Sequence, residues 1–260
     1  MVVIVNRIAM KHIFIFGLLV NLVGLNLANA EQQTVSLNIT TCDGREQQLH
    51  ATTPVYLSDF LVHLDWQACN YPYGALLSFP ERKAAQSALQ TKLLSFLTNP
   101  ARLASLTDEQ RDYFQKVAQL ISEQPVTGRR PLALIDPKAI EVTPNTNPVI
   151  RNQAYLQLMN RPDFIRLLGF ETVVMRHVTA QTLSEYLAST QLLPGLVPGY
   201  VWVVQANGQI EKLRYGLWTF NSPAVSPGAW LIAEVPSSWI KDYPQFNEEL
   251  AQWLATQAPQ

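Results

Sequence analysis

Two stretches of the chain carry the same hydrophobic rhythm. Val35, Leu37 and Ile39 alternate with polar residues ahead of Asp43-Gly44, and Phe164, Ile165 and Leu167 stand ahead of Gly169. Alternation at period two predicts a half-buried strand, and the glycine after it predicts a turn into a second strand. Each strand pair then runs into the same five-residue phrase, Leu57-Ser58-Asp59-Phe60-Leu61 in the first copy and Leu183-Ser184-Glu185-Tyr186-Leu187 in the second. Each copy also carries a Gly-Ala strand further on, Gly74-Ala75-Leu76-Leu77 and Gly228-Ala229-Trp230-Leu231-Ile232. Four correspondences in the same order point to one unit used twice.

A β-hairpin that leads straight into a short helix is the opening of a β-grasp, ubiquitin-like domain. Between the two openings the period changes. Leu89, Leu93, Leu94 and Leu97 form one helical stripe, and Tyr113, Phe114, Val117, Leu120 and Ile121 form another. The first helix is expected to begin at Pro80 and stop at Asn99-Pro100; the second begins with Thr107-Asp108-Glu109-Gln110, a capping box, and stops before Pro125. Strands are expected to resume at Pro131-Leu132-Ala133-Leu134-Ile135, and Pro144-Asn145-Thr146-Asn147-Pro148 reads as the joint between modules. The expected class is therefore α+β, with two β-grasp domains over 31–143 and 144–235. A helical hairpin (80–124) is inserted in the first, and an amphipathic helix over 236–260 closes the chain.

That last helix places Trp239, Tyr243, Phe246, Leu250, Trp253 and Leu254 at steps of three and four, which makes one aromatic-rich face. Two readings stand: the face packs back on its own domain, or it is offered to a partner or a membrane interface. From Pro244 to Thr256 the helix would be about 20 Å long at 1.5 Å per residue, too short to span a bilayer.

The N-terminus reads as an address. Lys11-His12 precede an apolar run from Ile13 through Leu27, and Ala28-Asn29-Ala30 supply the small residues at which a signal peptide is cut. Met10 is the expected start of this leader, cleavage after Ala30 leaves Glu31 first, and no cysteine follows to carry a lipid. Removing Arg7 and Lys11 with the leader lowers the formal charge of −1 by two. Such a mildly acidic chain lacks the basic footprint that nucleic acid requires. Cys42 and Cys69 either pair in an oxidising compartment, closing a loop worth about 3 kcal/mol by chain entropy, or stay as two small buried hydrophobes.

Chemistry-bearing motifs are scarce. The sequence has no Gly-x-Ser-x-Gly elbow, no Gly-rich phosphate loop, no His-Glu-x-x-His and no Cys-x-x-Cys. His50, His63 and His177 read as structural or surface histidines, and Asp108, Glu109, Glu248 and Glu249 lie at helix starts, where the macrodipole accounts for them. No catalytic residue, metal or cofactor is expected. One polar cluster stands out, Thr127-Gly128-Arg129-Arg130, where the helical hairpin returns to the sheet. A guanidinium there can present its fork to an anionic or hydroxyl-rich ligand, or it can be solvated or paired to a nearby acid. Arg161-Pro162 is a second cluster of the same kind.

A leader, two hairpin-helix modules with a helical hairpin in the first, the Gly128-Arg129 turn, Arg161-Pro162-x-x-Ile165, Pro227-Gly228-Ala229-Trp230 and a closing amphipathic helix together resemble the GfcC-like capsule biosynthesis family. The resemblance implies a periplasmic, non-enzymatic factor in assembly or export of capsule or related exopolysaccharide. It also implies modules similar to domains of Wza-type outer-membrane export proteins. The implied partners are capsular or O-antigen type polysaccharide, the outer-membrane export protein, or both, with peripheral membrane contact and no nucleic acid. The family's suspected arginine-lined pocket would fall on Arg129, with Arg130 as the other choice. Two further functions remain open: a polysaccharide-processing hydrolase whose carboxylate pair assembles only in three dimensions, and a structural module that docks on a membrane partner.

Overall fold

The structure is a computed structural model that describes residues 3–4, 34–132, 134–142, 146–216 and 223–259. The expected leader and its cleavage site at Ala30 lie outside the described residues, Val3–Ile4 apart. The fold is mixed α+β, with two larger sheets and several helices.

In the first sheet, β1 (Val35–Thr40) and β2 (Glu46–Ala51) form an antiparallel hairpin turned at Gly44, whose φ of 80° suits glycine. α1 (Leu57–Leu61) follows, then β3 (Leu76–Ser78). The hairpin residues α2 (Lys83–Leu97) and α3 (Asp108–Glu123) come next, then β4 (Gln153–Gln157), which lies parallel to β1 and antiparallel to β3. The strand order is thus β2-β1-β4-β3, with the two-residue strand Val3–Ile4 added outside β2. In the second sheet, β5 (Phe164–Leu168) and β6 (Val174–Arg176) form the hairpin, turned at Gly169, and α4 (Leu183–Ala188) follows. β7 (Tyr200–Val204), β8 (Ile210–Arg214) and β9 (Trp230–Ala233) complete the order β6-β5-β9-β7-β8, with β9 parallel to β5. α5 (Phe246–Ala255) closes the chain.

Three sequence expectations change. Gly74-Ala75-Leu76-Leu77 does not correspond to Gly228-Ala229-Trp230-Leu231. The strand of the first sheet that lies parallel to its opening strand, as β9 does in the second, is β4, whereas β3 pairs antiparallel with β4 as β7 does with β9. Pro131–Ile135 is not a strand among its described residues; Pro131 has no amide to donate to a ladder, and only an isolated bridge stands just ahead of it, at Arg129 with Ser78. The chain also does not leave the first sheet at Pro144–Pro148, because β4 lies beyond that segment and joins β1 to β3.

The apolar positions sort into three layers. Val35, Leu37, Ile39, Leu49, Leu77 and Leu156 face α1, whose Leu57, Phe60 and Leu61 cover them. Ile165, Leu167, Val201, Val203 and Leu231 face α4 through Leu183 and Tyr186. The third layer lies on the other face of the second sheet, where Val204, Trp230 and Ile232 meet α5, and α5 in turn meets α2 and α3. The helical hairpin is inserted in the first sheet's sequence yet packs onto the second sheet through α5. β9, buried at all four positions, is covered on both sides.

Cys42 and Cys69 are joined by a disulfide with Cα atoms 5.9 Å apart. It ties the β1–β2 turn to the loop after α1. Beyond α5 the chain threads between the sheets: Pro259 is buried, and a Cβ added at Gly74 or Gly228 would come within 2.9 Å and 2.6 Å of its ring. Both glycines thus leave room for one proline.

Candidate functional site

The site forms where the two sheets and α5 converge. At the end of α3 the chain turns through Gly128, whose φ of 72° and whose Cβ position, 2.4 Å from the Phe79 carbonyl, admit only glycine. Its amide donates to Oε1 of Gln86, a buried residue of α2. Gln86 Nε2 donates to Thr256 Oγ1 at 2.7 Å, and Thr127 Oγ1 donates to the Thr256 carbonyl at 2.7 Å. The turn is therefore bolted to both α2 and the end of α5.

This turn sends Arg129 inward, leaving it 3% exposed. Its Nη1 donates to the carbonyls of Ala255 (3.2 Å) and Gln257 (2.7 Å), and its Nη2 to those of Ala75 (3.2 Å) and Ala206 (2.6 Å). One guanidinium so joins the approach to β3, the β7–β8 turn and the C-terminus of α5. A cation suits the last position, where unsatisfied carbonyls concentrate the negative end of the helix dipole. Burial pushes the Arg129 pKa down to about 10, which keeps it charged at neutral pH. Four of its five N–H groups are engaged with backbone, and Nε is buried without a partner.

The second sheet contributes an inserted turn. Gln205, Ala206 and Asn207 are buried although they lie at the tip of a hairpin, and a Cβ at Gly208 would meet the Ala255 carbonyl and Pro131 at 2.8 Å each. Gln205 holds the turn by donating to Glu211 and Ala224 and accepting from the Ser226 amide. Against this frame lies a groove of about 490 Å³, lined by Ala85 and Leu89 of α2, Ile210 of β8, Gln252 and Ala255 of α5, and Arg129. Glu81 and Arg82, both exposed, add one charge of each sign. The lining can hold a ligand with both apolar and hydrogen-bonding surface.

The remaining sequence-predicted residues fall elsewhere. Arg130 is half-buried and is not part of the groove; its amide donates to the Leu77 carbonyl at 2.8 Å. Tyr243, Phe246, Leu250 and Trp253 are buried and Trp239 is half-buried, all within the layer between α5, the helical hairpin and the second sheet. The aromatic face, read from the sequence either as packing on its own domain or as offered to a partner, is covered by the chain itself, with Phe96 4.9 Å from Tyr243 and 5.4 Å from Phe246 between ring centroids. Arg102, which the sequence did not single out, stacks on Phe96 (3.8 Å) and Phe114 (3.9 Å) and donates to the Trp239 carbonyl. Arg161 is exposed, and His177 Nε2 lies 3.0 Å from the Val225 carbonyl. Among the described residues, no three His, Cys, Asp or Glu side chains could together hold a metal ion. No described helix is long and apolar enough to cross a membrane.

α5 is also pinned to α2 by charge. Lys92 Nζ lies 2.7 Å from Glu249 Oε1, and the Tyr243 hydroxyl donates to the other carboxylate oxygen. Burial pushes the Glu249 pKa up, but the hydrogen bonds from Lys92 and Tyr243 pull it below 4.5 overall. The hydrogen bond to Glu249 raises Lys92 above 10.5. A depressed carboxylate contributes stability that is present above its unfolded pKa and lost as pH falls through the folded value; a raised ammonium contributes stability that is lost only as pH rises through its own. The thermal stability of wild type over Glu249→Gln should therefore be greatest near neutral pH and shrink as pH falls below 4.5. A gap that stays constant from neutral to acid would show that the carboxylate charge plays no part.

Two family models match the chain. The one described as Capsule biosynthesis GfcC, N-terminal covers residues 31–162, and the one described as Capsule biosynthesis GfcC C-terminal covers residues 172–259. The first ends just past β4 and the second holds β9 and α5, so the segments that meet at Arg129 come from both. The chain therefore belongs to the GfcC-like capsule biosynthesis family, and its role is in capsule assembly.

Proposed function

We propose that the protein is a non-enzymatic accessory factor in capsule or exopolysaccharide export, exported to the periplasm by a cleavable signal peptide. It binds glycan, the outer-membrane export protein, or both. The two sheets are read as β-grasp modules, because each places a hairpin, a short helix and a strand parallel to the first in the same order. The observation that carries the functional reading is the groove beside Arg129, which draws walls from α2, α5 and the second sheet. In this reading Arg129 fixes the walls, while Gln252, Ile210 and Leu89 meet the ligand. The apolar share of the lining suits the C–H faces of sugar rings or an apolar side chain of a partner, and the amides suit hydroxyl groups.

The test is a gene deletion in the native host, with polysaccharide quantified on the surface and inside the envelope. Loss of surface polysaccharide restored by a wild-type plasmid is expected. A plasmid carrying Ala85→Trp, which fills the groove from an exposed helical position, should restore little of it while the protein accumulates to the wild-type level. Unchanged surface polysaccharide in the deletion would sink the export reading, and full restoration by Ala85→Trp would sink the groove.

A further inference from the structure

The first sheet has one face in the core and one that no described helix covers. Val35, Leu37 and Ile39 of β1 point into the core, so Ser36, Asn38 and Thr40 point out. Registers carry this outward set across the neighbours: Ser36 lies opposite His50 and Gln153, Asn38 opposite Gln48 and Tyr155, and Thr40 opposite Glu46 and Gln157. We infer that this face is a glycan-binding trough that runs along β1 and takes a neutral, hydroxyl-rich chain. The inference rests on the reading that the protein handles capsule polysaccharide.

Shape and chemistry both support it. The floor is made of short side chains, while the flanking strands raise longer ones, with Gln48, Gln153, Tyr155 and Gln157 exposed. Floor and walls thus form a shallow channel of about 13 Å from Ser36 to Thr40 at about 3.3 Å per residue, enough for a short run of sugar rings. Hydroxyls and carboxamides make up most of it, with one carboxylate, Glu46, at one end and no lysine or arginine. Exposed surface ordinarily includes Lys, Arg, Asp and Glu beside such residues, and here Glu46 alone carries a full charge. Carboxamides and hydroxyls donate and accept at once, as sugar hydroxyls do, whereas an acidic chain would want cations. The Tyr155 ring, 41% exposed, supplies a surface on which the C–H face of a sugar can stack. Asn38 adds one sign: its Nδ2 lies beneath the flanking side chains with no hydrogen-bond partner, a donor that a ligand hydroxyl satisfies once those side chains part around it.

The experiment incubates the purified protein with an array of bacterial surface polysaccharide fragments, neutral and acidic, and titrates the fragments that bind. Binding of neutral fragments, weakened about tenfold (a change near 1.4 kcal/mol) in the Gln48→Ala/Tyr155→Ala double variant at unchanged melting temperature, is the expected result. Asn38→Leu should bind weakly too, yet be at least as stable as wild type, because it removes an orphaned donor; a merely structural Asn38 would show the reverse. Wild-type affinity in the double variant, with binding lost in Ala85→Trp, would overturn the trough and leave the groove beside Arg129 standing. Binding confined to acidic fragments would overturn the trough's neutral specificity, and no binding at all would overturn both glycan sites.

Discussion

Arg129→Ala is expected to unfold or severely weaken the protein, at about 1–3 kcal/mol for each buried carbonyl left without a donor. Four carbonyls, those of Ala75, Ala206, Ala255 and Gln257, would lose their donors together, and the space left is too enclosed for solvent to replace them all. Arg129→Lys should rescue little, since an ammonium is a compact point with three donors and cannot reach four carbonyls arranged around a planar fork. Thermal or urea unfolding of the purified variants measures this directly. A normally stable Arg129→Ala that has lost function would reverse the conclusion and make the guanidinium a ligand contact. The sequence alone favours that latter outcome, because it shows an arginine at a junction and not the carbonyls around it.

The second large effect is expected at α5. Phe246→Ala and Trp253→Ala should each cost about 3–5 kcal/mol, the usual loss on truncating a fully buried aromatic residue. Both side chains are 0% exposed, and Phe246 packs against Phe96 and Phe114 as well as the second sheet's layer. Urea midpoints would register the loss in the isolated protein, with no partner added. Had the aromatic face been a docking surface, the same substitutions would leave the isolated protein as stable as wild type and lower only its binding.

What the sequence conveyed follows from the range of each signal. The hairpins, the short helices after them and the capping box at Thr107 are local, and period-two or period-3.6 patterning with a turn glycine is enough to mark them. β4 carries the same period-two alternation, with Ala154 and Leu156 buried between exposed Gln153, Tyr155 and Gln157, but it follows a Pro/Asn stretch with no turn glycine beside it; only its pairing with β1 and β3 makes it a central strand. The look-alike at Gly74-Ala75 drew that role instead, since a Gly-Ala step says nothing about the direction of its neighbour. Amphipathicity located the apolar face of α5 but not what covers it, which is set by where the helical hairpin folds back. The Arg129 cage left no trace in the sequence beyond the arginine, since its acceptors are backbone oxygens from segments far apart along the chain.

The seat of Pro259 has a mechanical meaning. Its ring touches Gly74, beside the first sheet, and Gly228, beside the second, while Arg129 grips the carbonyl two residues earlier. The tail thus acts as a shared wedge: neither sheet can swing away from the other without displacing it, and a pull on the tail is felt by both at once. A bulky tag fused directly after Gln260 loads that wedge, so a long flexible spacer ahead of the tag is the better way to handle the protein without prying its halves apart.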